Sequence, residues 1–298
     1  MQAEIVSTMR GHSETARPRT NGDVARTDWR SVQAILASRS RALEEELSQL
    51  RREHDELRRT VLEAAQMQRR LCGSRQLRRG AYTLTSELFP VRHVSGDFIS
   101  VLEQGADLVF AIGDIAGKGL AAGMWFTHLM GLIRMSVSEA GPAAAMSRIN
   151  QELCNTVFVA PLTSLFLGSL DLNTGEITYC NAGHPPSLVL RAEDEVEPLE
   201  IGGPILGAVP EAAYEAAQVR LGSGDSLLSY SDGIVECQNP RGEEFGTERL
   251  ILAANHAAHA STPGKLFSVL GAVEDFAGAG KREDDFAVLL LHRDDNEA

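Results

Sequence analysis

The chain has 298 residues, of which 43% are hydrophobic and 23% charged, so it can form a full hydrophobic core and still carry a non-globular segment. It contains no run of about 18 apolar residues and no apolar segment near its start, which argues against a membrane span and against secretion. The four cysteines lie far apart and form no CxxC pair, so we expect a reducing, cytoplasmic setting without a zinc site or disulfide framework.

The net charge of −13 is unevenly distributed along the chain. Residues 1–80 hold 16 Arg and 11 acidic residues, a net charge of +5, whereas residues 81–298 hold 12 basic and 30 acidic residues, a net charge of −18. An acidic region of this kind makes nucleic acid a poor partner and suits a site that gathers divalent cations. The arginines of the first region alternate with glutamates, a pattern typical of a solvated helix face.

The N-terminal region divides into two segments. Residues 1–28 are polar and lack hydrophobic periodicity, so we predict a disordered leader. Residues 29–75 contain a heptad pattern without Gly or Pro between Ser31 and Leu71, which predicts a coiled coil. A lone amphipathic helix packed on its own chain is the alternative. The heptad positions are Leu36, Leu43, Leu50, Leu57, Ala64 and Leu71, with Leu47 and Val61 on the alternate seam, which Ser40, His54 and Gln68 interrupt.

Beyond Gly73 the pattern changes to short β-like runs separated by amphipathic helices, and the turn Asn173-Thr174-Gly175 predicts a hairpin. Because most strands are grouped in hairpins, we predict an α+β fold with a β-sandwich flanked by helices. The predicted strands are Ala81–Leu88, Asp107–Asp114, Thr163–Asp171, Glu176–Cys180, Ser187–Arg191, Ser226–Ser231 and Phe286–His292. The predicted helices are Gly119–Ser138, Pro142–Val157, Thr247–Ala258 and Pro263–Phe276.

Aspartates stand at the ends of several of these strands. Asp114 and Asp232 end apolar runs, Asp284 and Asp285 open another, and Asp97 comes just after a probable strand. If the last strand lies antiparallel to the other two, their carboxylates meet at one end of the sheet. Carboxylates so close together repel one another unless cations neutralise them, and oxygen ligands favour Mg²⁺ or Mn²⁺. For any one aspartate beside a glycine, a plain turn residue is the alternative.

The glycine-rich segment from Gly113 to Gly123 invites a different interpretation, because it follows a strand and opens a helix, as phosphate-binding loops do. However, Lys118 is followed by Gly119 rather than by the Ser or Thr of a P-loop, and the glycine spacing misses the dinucleotide-binding pattern. Nucleotide binding is therefore disfavoured.

Six blocks of the sequence, in order, resemble those of one protein family. Each block is weak by itself, but six in the same order form a specific pattern, which is similar to the SpoIIE/RsbU branch of the metal-dependent (PPM, 2C-type) serine/threonine phosphatases. The blocks are Leu62–Leu71, Ser95-Gly96-Asp97-Phe98, Gly113–Gly119, Asn181-Ala182-Gly183-His184-Pro185-Pro186, Ser231-Asp232-Gly233 with Gly242–Gly246, and Asp284-Asp285-Phe286.

The resemblance implies a PPM-type phosphatase domain, which we place at residues 76–295, and a set of metal-binding aspartates that serve as its catalytic residues. Asp114 would bridge two metal ions, and the backbone carbonyl of Ile115 would be a further ligand. Asp232 and Asp284 would complete one metal site, while Asp97 would hold the other metal directly or through water.

Two details of this assignment stay open in the sequence. Asp285 is the alternative to Asp284, because neighbours on a strand point to opposite faces, and we favour Asp284 because Asp285 is closer to the apolar run. Ser95 stands where the family has a glycine, which we expect to be harmless. His184 is a candidate general acid, but a structural role in its Gly-His-Pro turn is favoured.

The resemblance also implies a reaction and partners. Two Mn²⁺ or Mg²⁺ ions would activate water to attack phosphoserine or phosphothreonine without a covalent enzyme intermediate. The substrate would be a phosphorylated anti-sigma-factor antagonist, and the coiled coil would form a homodimer that receives a signal from a separate activator. A catalytically silent scaffold that binds a phosphoprotein is the second hypothesis, and the presence of all the expected aspartates disfavours it.

Overall fold

The computed structural model describes residues 23–72, 75–91, 93–117, 119–137, 141–156, 160–257, 260–278, 280, 282 and 284–294. Most of the predicted leader, Lys118 of the glycine-rich segment, and the predicted helix ends Ser138, Val157 and Ala258 lie outside these residues. The chain divides into two compact units, Met1–Arg58 and Arg59–Ala298. No helix in the described ranges is long and apolar enough to cross a membrane.

The first unit contains most of helix α1, Asp23–Cys72, which continues past the unit boundary. The helix begins inside the predicted leader rather than at residue 29, and its 50 residues agree with the absence of Gly and Pro. The heptad leucines of this unit are exposed, with Leu43 at 57% and Leu50 at 62%. These exposed side chains are available to a second helix, and the coiled coil stays a prediction.

The second unit is built around two six-stranded sheets, in which every neighbouring pair of strands is antiparallel except β6 and β9. Sheet 1 has the strand order β1 (Arg75–Arg79), β2 (Tyr82–Phe89), β12 (Phe286–Arg293), β11 (Ser226–Tyr230), β7 (Ser187–Leu190) and β8 (Val196–Leu199). Sheet 2 has the order β10 (Ala217–Arg220), β6 (Glu176–Ala182), β5 (Thr163–Asp171), β4 (Asp107–Ile115) and β3 (Asp97–Gln104), and β9 (Gly202–Gly203) pairs with β6.

Helices cover the outer face of each sheet, so the unit has four layers. Helices α2 (Leu120–Ser136) and α3 (Gly141–Cys154) pack on sheet 2, whereas α6 (Thr262–Ala277) packs on sheet 1 and against α5 (Gly246–His256). The one-turn helix α4, Asp232–Val235, follows β11.

Strand β12 shows why the sandwich needs apolar residues on both faces of a central strand. Successive side chains of a strand point to opposite faces. Ala287, Leu289 and Leu291 belong to the core cluster between the two sheets. The alternate residues Phe286, Val288 and Leu290 belong to the cluster beneath α5 and α6. This central strand therefore reads as a continuous apolar run in the sequence.

The predicted fold class is confirmed, and all seven predicted strands and four predicted helices are present with ends shifted by a few residues. The hairpin between β5 and β6 is confirmed as well, with Gly175 at φ 77° in its turn. The missed elements β1, β3, β8, β9, β10 and α4 are short or polar.

Two expectations about the aspartates were wrong. The strands that carry them do not share one sheet, since β4 lies in sheet 2 while β11 and β12 lie in sheet 1. Asp97 also opens β3 rather than following a strand. The polar residues of β3 hide it from an apolar pattern, and the assignment of strands to two sheets depends on pairing between distant segments.

Candidate metal centre

Three aspartates meet where the two sheets approach each other at one rim of the sandwich. Asp97 and Asp114 stand directly opposite each other in the β3–β4 pairing, so their side chains share a face of sheet 2. Asp232 comes from the other sheet, at the start of α4 directly after β11. One carboxylate oxygen from each of the three lies within 4.8 Å of the other two.

These carboxylates are held in a setting that disfavours their charge. Burial raises the pKa of Asp97 well above its usual range, and the charges of Asp114, Asp285 and Asp232 raise it further, against a hydrogen bond from Ser231. Burial also raises the pKa of Asp114 from 3.8 to about 6, and Asp232 adds to this shift. A bound cation would remove this repulsion.

The donor set fits a divalent cation. Asp97 is only 3% exposed, and its Oδ2 atom is buried without a hydrogen-bond partner in the described part of the chain. A buried carboxylate oxygen normally has a partner, and a metal ion can take that place. All three groups offer oxygen, the ligand that Mg²⁺ and Mn²⁺ prefer.

Two backbone carbonyl oxygens at the end of β4 and just beyond it face the loop around Gly96, beside an oxygen of Asp114. A Cβ atom at Gly96 would lie 2.8 Å from both Asp114 Oδ1 and the Ile115 carbonyl oxygen, and 3.0 Å from the Gly117 carbonyl oxygen. These oxygens therefore converge on the space that a side chain at position 96 would fill. The backbone N–H of Ile115 donates to the Gly96 carbonyl at 3.2 Å, which fixes the loop against β4.

The neighbours Asp284 and Asp285 have different surroundings. Asp285 is 4% exposed, and its two oxygens accept hydrogen bonds from the N–H of Val91 at 2.7 Å, the hydroxyl of Ser95 at 2.8 Å and the N–H of Gly96 at 3.0 Å. Both oxygens of Asp285 are thus used to hold the loop that carries Gly96.

Asp284 is half-buried and lies outside the group of three whose oxygens converge. Its Oδ1 accepts the N–H of Asp285 at 2.9 Å, and its charge contributes to the raised pKa of Asp114. Of the two neighbours, Asp284 therefore has the surroundings that suit a ligand.

The C-terminal part of α1 reaches the same loop within the second unit. The side-chain amide of Gln68, 5% exposed, donates to the Ser95 carbonyl at 2.8 Å and accepts the Ser95 N–H at 2.9 Å. Sequence reasoning treated Gln68 as an interruption of the heptad seam and Ser95 as a harmless replacement. The polar residue at a seam position was the signal that could have pointed to this contact.

His184 is buried, and its side chain is hydrogen-bonded to the β5 residue that stands opposite Asp114. Its Nδ1 is 2.9 Å from the Ser164 hydroxyl, and the Asn181 side chain bonds to both its N–H and its carbonyl, at 2.8 and 2.9 Å. Burial lowers the pKa of His184 to about 3, so the imidazole is neutral near pH 7. This setting fits the structural role and not that of a general acid.

The glycine-rich segment after β4 lacks the topology of a nucleotide-binding fold. Gly117 at φ 111° and Gly119 at φ 86° form the turn into α2. The next strand after α2 and α3 is β5, which pairs antiparallel with β4. The nucleotide-binding folds need a parallel crossover at this point.

The chain is similar in sequence to several known proteins. The family model for stage II sporulation protein E (SpoIIE) matches residues 104–294, more than half of the chain. Protein IcfG of Synechocystis sp. is 30% identical over 200 residues, which cover 57% of this chain and only 32% of that protein. Phosphoserine phosphatase RsbU of Bacillus subtilis is 24% identical over 249 residues, which cover 82% of this chain and 73% of that protein.

A solved structure with the same fold is the SiaA-PP2C domain of Pseudomonas aeruginosa. It superposes with a TM-score of 0.70 at 18% sequence identity, covering 81% of this chain and 99% of that domain. At this identity the likeness concerns the fold.

Proposed function

Since this chain belongs to the SpoIIE family, we propose that it is a PPM-type serine/threonine protein phosphatase that removes phosphate from a serine or threonine of a phosphorylated anti-sigma-factor antagonist. The observation that carries the proposal is the convergence of Asp97, Asp114 and Asp232 from distant parts of the sequence. The orphaned Oδ2 of Asp97 points to a cation at this centre.

The proposed ligands are the carboxylates of Asp97, Asp114, Asp232 and Asp284 and the carbonyl of Ile115. Two Mn²⁺ or Mg²⁺ ions held there would supply a water nucleophile at neutral pH and neutralise charge on the phosphate. The chain's own residues hold these oxygens in place, and the Asp285 carboxylate fixes the loop on which Asp97 depends.

A covalent route through a cysteine has no support in the site. Burial raises the pKa of both Cys72 and Cys180 to about 12, so these thiols are not ionised near pH 7. The thiol pKa of Cys237 is also raised by burial. Direct hydrolysis by water is the reaction that this chemistry favours.

The substrate class rests on the relative RsbU, which is described as a phosphoserine phosphatase. We propose the same type of substrate here, together with an activator that acts on a coiled-coil homodimer formed by α1. The exposed Leu50 should lie in that interface. Light scattering should find a dimer for the full chain and for Ser48→Lys on another face of the helix, but a monomer for Leu50→Lys; a Leu50→Lys dimer would contradict the proposal.

Turnover with defined variants tests the activity. The full chain with Mn²⁺ should release phosphate from a phosphoserine peptide, and Asp114→Asn should reduce the rate about a thousandfold, because it removes one of the carboxylates that would hold the ions. Asp107→Asn is the matched control, since this exposed aspartate lies at the opposite end of β4.

Two outcomes would count against hydrolysis at this centre. If the wild-type chain binds a phosphoprotein without releasing phosphate, the scaffold hypothesis replaces the phosphatase. If Asp114→Asn turns over as fast as Asp107→Asn, the reaction takes place elsewhere.

A further inference from the structure

A cleft of about 280 Å³ opens beside the carboxylates, on the side of α4 and the start of β12. It is separate from the loop around Gly96, and nothing in the metal-binding arrangement accounts for the residues at its far side. The residues that matter for its chemistry are Gly233, Glu236, Glu244, Arg282, Asp284 and Phe286.

Arg282 is the basic residue among the described residues that line this cleft. Its guanidinium carbon lies 5.0 Å from the centroid of the Phe286 ring and 5.9 Å from that of Phe89. These cation–π contacts leave the N–H groups of the guanidinium available as hydrogen-bond donors. The side chain also forms an ion pair with Glu274, whose own side chain is 60% exposed, so the pair is open to solvent and weak.

Acidic side chains extend from the carboxylate centre into the cleft. Burial raises the pKa of Glu236, and the charges of Asp232, Glu244 and Asp284 raise it further. A negative field therefore extends from the metal ligands across Glu236 into the cleft.

Because of this negative field, two cations at the centre do not supply enough positive charge to bind a phosphate group. Two divalent cations balance the four proposed aspartate ligands, whereas a phosphate monoester adds up to two negative charges and the cleft glutamates add two more. Binding the phosphate group in such surroundings needs further positive charge close by. An arginine suits this task, because its planar fork donates two parallel hydrogen bonds to phosphate oxygens.

We propose that Arg282 binds the phosphate group of the substrate and makes this cleft the phosphate end of the substrate site. The proposal rests on the proposed phosphatase function. Arg282 exchanges its exposed pairing with Glu274 for hydrogen bonds to the phosphate. Its contact with Phe286 holds it in the cleft that Asp284 also lines. It orients the ester and takes no part in bond making.

The test compares Arg282→Gln and Arg282→Lys with Glu274→Gln, a control that removes the ion pair without removing the guanidinium. For each variant we would measure kcat and KM for a phosphoserine peptide, product inhibition by inorganic phosphate, and Mn²⁺ affinity. Arg282→Gln should raise KM and the inhibition constant of phosphate about 10- to 100-fold, with Mn²⁺ affinity unchanged. Arg282→Lys should fall between this variant and the wild type, and Glu274→Gln should match the wild type or bind phosphate more tightly.

Equal effects of Arg282→Gln and Glu274→Gln would overturn the proposal, because the arginine would then act only through its ion pair. So would a KM and a phosphate inhibition constant for Arg282→Gln within about twofold of the wild-type values. If Arg282→Gln does not fold, the same comparison between Arg282→Lys and Glu274→Gln decides.

The outcome is separable from that of the phosphatase proposal. A wild-type chain without turnover would defeat the phosphatase, and calorimetry with inorganic phosphate on the Mn²⁺-loaded chain would then test Arg282 directly. Binding about tenfold weaker to Arg282→Gln than to the wild type would support the phosphate site. Equal binding would reject it.

Discussion

Strand β11 has an aspartate near each end, and the surroundings of the two aspartates act on carboxylate pKa values in opposite directions. Asp225, before its first residue, is 6% exposed and accepts hydrogen bonds from Arg191 at 2.9 Å, from the N–H of Gly222 at 2.8 Å and from the N–H of Ala192 at 3.0 Å. Although burial acts to raise its pKa, the bonds from Arg191 and the two N–H groups hold the pKa of Asp225 below its usual value.

Asp232, beyond the other end, joins a group of carboxylates that raise one another's pKa. There the pKa of Asp114 is raised to about 6, and Asp97 keeps a buried oxygen without a partner in the described residues. The comparison teaches that burial alone does not mark a functional aspartate. What distinguishes Asp97 is a buried carboxylate oxygen without a hydrogen-bond partner among the described residues. Such an arrangement is unfavourable unless a ligand binds there.

The largest effects should come from replacing each of these two aspartates by asparagine. Asp232→Asn should reduce phosphate release about a thousandfold while the unfolding midpoint stays the same or rises, because a repelling charge is removed. Asp225→Asn should leave kcat near the wild-type value but lower the free energy of unfolding by about 2–4 kcal/mol, because Arg191 loses its buried partner.

Phosphate release and urea denaturation of the two variants check this prediction. A loss of activity in Asp225→Asn that equals the loss in Asp232→Asn, at a denaturant concentration where both are folded, would erase the distinction between the two ends.

The two ends should also respond to pH with opposite sign. A raised pKa contributes stability in full below the ordinary value of 3.8, and that contribution is lost as pH rises through about 6 for Asp114. The lowered pKa of Asp225 contributes stability above 3.8 that is lost as pH falls through the lowered value. Metal-free protein should therefore lose the contribution of Asp114 as pH rises from about 3.8 to about 6.

Adding Mn²⁺ should restore that loss, so its stabilising effect should be larger at about pH 7.5 than at about pH 5.5, where protons compete for the same oxygens. Thermal unfolding with and without Mn²⁺ measures this difference, using Asp225→Asn to remove the opposing contribution. A stabilisation by Mn²⁺ that does not depend on pH would show that the raised pKa values are not linked to metal binding.

A smaller effect should follow from loss of the Ser95 hydroxyl, which donates a hydrogen bond to Asp285 beside the carboxylate centre. Ser95→Gly, the residue typical of the family, and Ser95→Ala should weaken Mn²⁺ binding about tenfold, because Asp285 loses a hydrogen bond and the loop of Gly96 loosens. The loss of stability should stay below about 1.5 kcal/mol.

Ser100→Ala is the matched control for this serine. Its hydroxyl is also buried but has no hydrogen-bond partner among the described residues, so calorimetry should find Mn²⁺ affinity unchanged. Equal affinities for Ser95→Ala and Ser100→Ala would show that the hydroxyl of Ser95 is as dispensable as the sequence suggested.

The sequence predicted what local patterns carry. Apolar runs located strands such as β4, β5 and β12 within a few residues of their ends, and the absence of Gly and Pro located α1. The aspartates at the strand ends were singled out because a carboxylate that adjoins an apolar run needs a partner. The ordered motif blocks then identified the fold.

What the sequence could not supply were contacts between distant segments. The pairing that sets Asp97 opposite Asp114 depends on the register of β3, a strand with too many polar residues to be recognised. The hydrogen bonds of Ser95 to Gln68 and to Asp285 span 27 and 190 residues, and no periodicity encodes them. For the same reason, single-sequence reasoning could not divide the strands between two sheets.

Strand β12 sits between β2 and β11, although about two hundred residues separate it from β2 along the chain. During synthesis, the other five strands of sheet 1 are therefore produced before β12, which lies between them. Asp284 and Asp285 directly precede that strand, so a nascent chain cannot complete the carboxylate centre until β12 has been synthesised. Truncated products that stop short of it should have no phosphatase activity and should be prone to degradation.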